Sequence, residues 1–172
     1  MTQSQQPQQA GHRPTVVRTA GRELIVTRTF ERPARAVFDA WTRPELFSLW
    51  WAPGSMGAVL SACQIDARTG GGYQITFSAG GGADDDGGDG TDSATFFGRY
   101  LEVAPPSRLV WTNEESPDAP VTTVTFEDQG AQTLLVLSEL YPAAPPADAV
   151  AGMQAMASEQ FAQLDDLLAS LR

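Results

Sequence analysis

Residues 146–171 read PADAVAGMQAMASEQFAQLDDLLASL, and this stretch decides the fold. Val150, Met153, Ala157, Phe161, Leu164, Leu168 and Leu171 recur at spacings of three and four, which gathers them into one stripe down a single helix. Met156 and Leu167 widen the stripe, while Gln154, Ser158, Glu159, Gln163, Asp165 and Asp166 fall mostly outside it. Pro145 and Pro146 suit a helix start, and Asp148 sits where the helix dipole favours a negative charge. A helix of this length spans about 38 Å at about 1.5 Å per residue. Each large apolar side chain gains roughly 1.5–3 kcal/mol on burial. Such a stripe needs a broad apolar partner, and the rest of the chain reads mostly as strands. The expected architecture is α+β: a curved sheet closing around one long helix.

Upstream, residues 1–20 (MTQSQQPQQAGHRPTVVRTA) have little periodicity and read as a flexible, disordered leader to one domain over 21–172. Residues 22–30 (RELIVTRTF) alternate as a strand with Leu24, Val26, Arg28 and Phe30 on one face. Pro33 and Pro44 then start two short helices that carry Trp41, Trp50 and Trp51. Six strands follow. Val59, Ser61, Cys63 and Ile65 share a face in the first, and Tyr73, Ile75 and Phe77 in the second. The remaining strands cover 95–103, 108–112 with Trp111, 121–127 and 133–140, the last with Leu135, Leu137 and Glu139 on one face. Hairpin-length connections make this an antiparallel meander, giving a sheet of about seven strands. Residues 79–93 (AGGGADDDGGDGTDS) read as a flexible hairpin loop. Their aspartates lack the ligand spacing of an EF-hand.

The composition narrows the function. A net charge of −10 excludes nucleic acid and anionic membrane surfaces as the natural partners. No apolar run approaches the roughly 20 residues of a membrane span, and the polar N-terminus lacks a signal-peptide core, so a cytoplasmic address is the expectation. One cysteine, Cys63, leaves no internal disulfide and reads as a small buried residue. The single histidine, His12, falls in the leader, where it reads as solvated. No metal site or other cofactor is expected, and a Ser-His-Asp triad or Cys-His dyad has no histidine to use.

Four blocks carry a family resemblance: Arg28–Pro33 (RTFERP) with Val37–Thr42 (VFDAWT), Pro44 and Leu49–Pro53 (LWWAP); Asp66–Gly71 (DARTGG); Gly98–Trp111 (GRYLEVAPPSRLVW); and Thr133–Leu137 (TLLVL) leading to the final helix. In their order and spacing the chain resembles the SRPBCC superfamily (START-like, Bet v 1-like), in the branch named after the activator of Hsp90 ATPase. The resemblance implies a helix-grip fold and a cavity between sheet and helix, and it spans enzymes, ligand carriers, receptors and co-chaperone domains. The family's usual Gly-Trp pair in the last helix is matched here by Met156-Ala157, which enlarges or reshapes any cavity beneath it.

Three functions follow from this reading. The first is binding of a small hydrophobic molecule in a cavity lined by Trp50, Tyr73, Phe77, Trp111, Leu137, Met153 and Met156, with Arg28 and Glu139 as orienting polar groups. The second is a cyclase, dehydratase or hydrolase with Glu139 as general base, Arg28 or Tyr73 stabilising negative charge. The third is a chaperone-associated or other protein-interaction module, whose acidic surface favours a basic partner. A monomer or a homodimer fits all three.

Overall fold

The computed structural model describes residues 14–79 and 93–171. Eight strands and three helices run in the order β1 (Val16–Ala20), β2 (Glu23–Phe30), α1 (Ala34–Thr42), α2 (Pro44–Phe47), β3 (Ala58–Ile65), β4 (Gly72–Ala79), β5 (Ser93–Ala104), β6 (Arg108–Thr112), β7 (Val121–Asp128), β8 (Thr133–Leu140) and α3 (Ala147–Ser170). The strands form one sheet in the order β1-β2-β8-β7-β6-β5-β4-β3, and every neighbouring pair is antiparallel. This is the helix-grip arrangement, with eight strands among the described residues where the sequence suggests about seven.

The additional strand is β1. Residues 16–20, assigned above to the flexible leader, pair with β2 from Val16↔Thr27 to Ala20↔Glu23. As an edge strand with four of its five side chains exposed, it carries no alternation that periodicity can detect. The Gln154 side chain of α3 secures it, accepting from the Val17 amide (3.2 Å) and donating to the Thr15 carbonyl (2.9 Å). His12 and the aspartate-rich run 80–92 lie outside the described residues.

The long helix forms where its stripe predicts. Ala157, Phe161, Leu164 and Leu168 are buried, and the Phe161 ring meets Phe30 of β2 edge-on at 5.7 Å. Leu171, expected in the stripe, is exposed just past the last turn. In β3 the expected face is broken by a bulge between Leu60 and Ala62. The extra residue turns Val59 and Ser61 outward and brings Leu60, Cys63 and Ile65 opposite Phe77, Ile75 and Tyr73. Cys63 is half-buried, and burial pushes its thiol up, away from reactivity.

Arg28 is buried within the core. Its guanidinium pairs with Asp165 of α3, donates to the Thr15 hydroxyl at 2.8 Å and lies 5.5 Å from the centre of the Phe30 ring. It ties β2, the segment before β1 and α3 together at the closed end of the grip.

Candidate functional site

Register builds the site. Leu24, Glu139, Thr122, Trp111 and Tyr100 lie directly opposite one another across β2, β8, β7, β6 and β5, so all five point to the same face of the sheet. That face is the concave one, because Leu24, Thr122 and Tyr100 are buried. The next row along, Val26, Leu137, Val124 and Leu109, is solid core. Beyond it lies Arg28, opposite Leu135. Arg28 and Glu139 therefore share a face but stand four residues apart along the sheet, about 13 Å at the strand rise.

Over the row containing Glu139 the core is open. A cavity of about 560 Å³ lies between the sheet and the N-terminal half of α3, within the size range of small-molecule sites. Tyr73, Ile75, Phe77, Tyr100 and Trp111 line it from the strands, and Met153, Met156 and Gln160 from the helix. Trp41, Phe47, Trp51 and Pro53 enter from the α1–α2 region, and Asn113, Glu115 and Pro120 from the β6–β7 loop. The rings form a continuous surface: Phe47 stacks on Trp51 at 4.8 Å, Trp51 meets Trp41 at 5.8 Å, Trp41 meets Trp111 at 6.0 Å, and Trp111 meets Tyr100 at 6.5 Å.

Polar side chains of α3 hold the segment after α2 against the cavity. Gln163 donates to the carbonyls of Trp50 and Ala52 (2.9 Å each) and accepts from the Gly54 amide (2.8 Å). Gln160 donates to the Trp51 carbonyl at 2.6 Å. Glu159 accepts from the Ser55 amide and hydroxyl, which hold its carboxyl below the usual range. These contacts satisfy backbone groups that secondary structure leaves unpaired, and they fix Trp51 and Pro53 in the wall.

Within the cavity the principal polar feature is Glu139 with Tyr141, two residues on and on the same strand face. The Tyr141 hydroxyl donates to the Glu139 carboxylate at 2.6 Å. Burial pushes the Glu139 carboxyl above its ordinary range, and the Tyr141 hydrogen bond opposes part of that shift. Burial, the bond to Glu139 and its charge together push the Tyr141 hydroxyl up. Tyr73 donates to the Thr112 carbonyl at 2.9 Å and meets the Asn113 side-chain amide. Its hydroxyl is pushed up by burial first, then by the charges of Glu115, Tyr100 and Glu114.

The raised Glu139 carboxyl has a consequence for stability. The folded chain holds this proton more tightly than the unfolded one, so the stabilising contribution is present below the ordinary carboxylate range and is lost as pH rises through the raised folded value. Glu139→Gln removes that loss while keeping an acceptor for Tyr141. The variant should melt higher than the parent at about pH 8, by about 2–4 °C for each 1 kcal/mol in a domain of this size. The gap should close near about pH 4. Calorimetry at both pH values checks this, and equal melting at the higher pH would contradict it.

The profile of one family, described as activator of Hsp90 ATPase homolog 1-like protein, matches residues 31–169. The chain belongs to this family. Solved structures share its fold. A Rhodobacter sphaeroides protein superposes with a TM-score of 0.76 at 21% identity, over 92% of this chain and 99% of that one. A Staphylococcus epidermidis protein gives 0.73 at 22% identity, over 90% and 93%. An AHSA1-like protein from Aeromonas hydrophila gives 0.66 at 19% identity, over 86% and 96%. No curated protein matches the chain.

Against this family frame, the residues expected at the site divide in two. Tyr73, Phe77, Trp111, Glu139, Met153 and Met156 line the cavity together. Trp50, Leu137 and Arg28 do not. Trp50 is fully buried, and its indole N–H donates to the Ala40 carbonyl at 2.9 Å. The neighbouring Trp51, in the turn after α2, takes the wall position. Leu137 belongs to the solid row, and Arg28 is held by Asp165. Tyr141, Tyr100 and Trp51 are among the wall residues that the sequence reading omits. The signal for Tyr141 was present, because it follows Glu139 at the strand period.

Among the described residues no group of His, Cys, Asp and Glu could hold a metal ion, and no helix is long and apolar enough to cross a membrane.

Proposed function

We propose that this chain binds a small, largely apolar molecule in the cavity between its sheet and α3. The observation that carries this reading is a space of about 560 Å³ walled largely by aromatic and methionine side chains. Apolar walls with a few polar groups are the usual make-up of a small-molecule site. The Glu139–Tyr141 pair supplies the polar end. The enzyme reading retains Glu139 but loses its expected electrophile, since Arg28 is committed to Asp165 and the Tyr73 hydroxyl to the Thr112 carbonyl. Binding without chemistry accounts for more of the site. An interaction module needs no cavity at all.

The test is a titration with the neutral apolar fluorophore N-phenylnaphthylamine, on the parent chain and on Met153→Trp, which fills the space from the helix side. The parent should enhance the probe's fluorescence saturably, and the variant should bind at least about tenfold more weakly, a difference of about 1.4 kcal/mol. Equal binding by the two proteins, with both folded, would place the probe elsewhere and contradict the reading.

A further inference from the structure

We propose that the occupant of this cavity is an organic cation, with an aromatic or otherwise apolar body and one ammonium centre seated against Glu139. The inference rests on the binding reading above and narrows it to a chemical class.

The charge of the wall points there first. Its ionisable acids are Glu139 and Glu115, and it contains no arginine or histidine. The chain has no lysine anywhere. Three arginines outside the wall are held in ion pairs: Arg28 with Asp165, Arg99 with Glu114 (2.7 Å) and Arg108 with Glu102 (3.0 Å). A carboxylate or phosphate ligand entering this cavity would meet like charge and no cationic side chain in the wall.

The hydrogen-bond inventory of Glu139 points the same way. One carboxylate oxygen accepts from Tyr141, and among the described residues no donor reaches the other. An ionised carboxylate has about four lone-pair sites, and one withdrawn from water is costly until a cation or further donors meet it. The protein supplies a single donor. An ammonium would supply the missing countercharge within a wall that is mostly apolar.

The rings complete the argument. Trp41, Trp51, Tyr73, Tyr100, Trp111 and Tyr141 all face this one space. Aromatic faces attract ammonium groups, indole most strongly, and more so when water is excluded. Glu115 in the wall, with the overall charge of −10, raises the local concentration of cations around the entrance. An aromatic wall alone would accept any apolar body. Joined to a half-satisfied carboxylate and no cationic side chain, it selects one kind of head group.

The experiment is isothermal titration of the full chain at neutral pH with three ligands sharing one ring system: naphthylmethylamine, naphthylmethanol and naphthoate. The amine should bind at least about tenfold more tightly than the alcohol, with the carboxylate weakest. In Glu139→Gln the amine should lose its advantage and fall to the level of the alcohol measured on the same variant. The preference should persist at about 0.5 M salt, where attraction to the acidic surface is screened. An alcohol or carboxylate bound as tightly as the amine would overturn the inference, as would an amine preference that survives Glu139→Gln or vanishes with salt. If none of the three binds but N-phenylnaphthylamine still does, the cation inference fails and the cavity reading stands. Loss of that fluorophore's binding as well would overturn both.

Discussion

Arg28→Met should destabilise the fold by about 3–5 kcal/mol, the range for breaking one side of a buried ion pair. Arg28 is 4% exposed, and its guanidinium joins β2 to Asp165 of α3 and to Thr15 ahead of β1. Methionine fills much of its volume but leaves the Asp165 carboxylate without this partner, on a side chain only 17% exposed. Removing both charges together is far milder, because buried pairs replaced by apolar groups are often neutral or better. Arg28→Met/Asp165→Leu should therefore recover most of the loss. Urea midpoints of the parent, the single and the double variants check this. A single variant within about 1 kcal/mol of the parent would show that the pair carries little of the closure. Ligand affinity should not change in Arg28→Met where the protein remains folded, since Arg28 stands two rows from the cavity. That outcome separates its structural role from the binding role suggested by its sequence context.

Gly98→Ala should cost about 3 kcal/mol, near the upper end of the overpacking range, and lower Tm by about 6–12 °C. Gly98 needs glycine for space, not for backbone conformation: it does not have a positive φ. A methyl group there would stand 1.8 Å from the Thr112 carbonyl oxygen and 2.8 Å from the Tyr73 hydroxyl. The first is backbone and cannot swing aside. The strands must separate or β5 must shift, and either breaks the Tyr73–Thr112 hydrogen bond at the cavity wall. Gly70 is the contrasting case, glycine for its φ of +86°, with open space around a potential Cβ. A Gly98→Ala protein that melted within about 2 °C of the parent would show that the strands yield more easily than their packing implies.

These two residues also show how much was legible. The long helix, the antiparallel meander and the two Pro-initiated helices all follow from periodicity and from proline placement. Periodicity also put Arg28 and Glu139 correctly on the concave side. It could not say that they are four residues apart in the paired sheet, because register across β2 and β8 is set by long-range pairing and not by either strand alone. The bulge in β3 is invisible for a related reason: one extra residue reverses the faces of everything before it. Gln154, Glu159 and Gln163 fall mostly outside the apolar stripe of α3. In fact they bind the backbone of the segment before β1 and of the loop after α2. A sequence marks such side chains as polar but does not name the carbonyls and amides they serve. Gly98 sat inside a recognisable motif, and only the distance to Thr112 explains it.

The most direct measurement is a nitrogen–proton correlation spectrum followed through titration with N-phenylnaphthylamine, read at the indole N–H signals. The chain holds four tryptophans. Trp51 and Trp111 line the cavity, whereas the Trp50 N–H is locked to the Ala40 carbonyl in the core. Saturable shifts largest at Trp51 and Trp111, with Trp50 least affected, are the predicted result. Shifts confined to the outer face of the sheet, near the exposed Phe97 and Leu101, with the indoles unmoved, would contradict the cavity as the binding site.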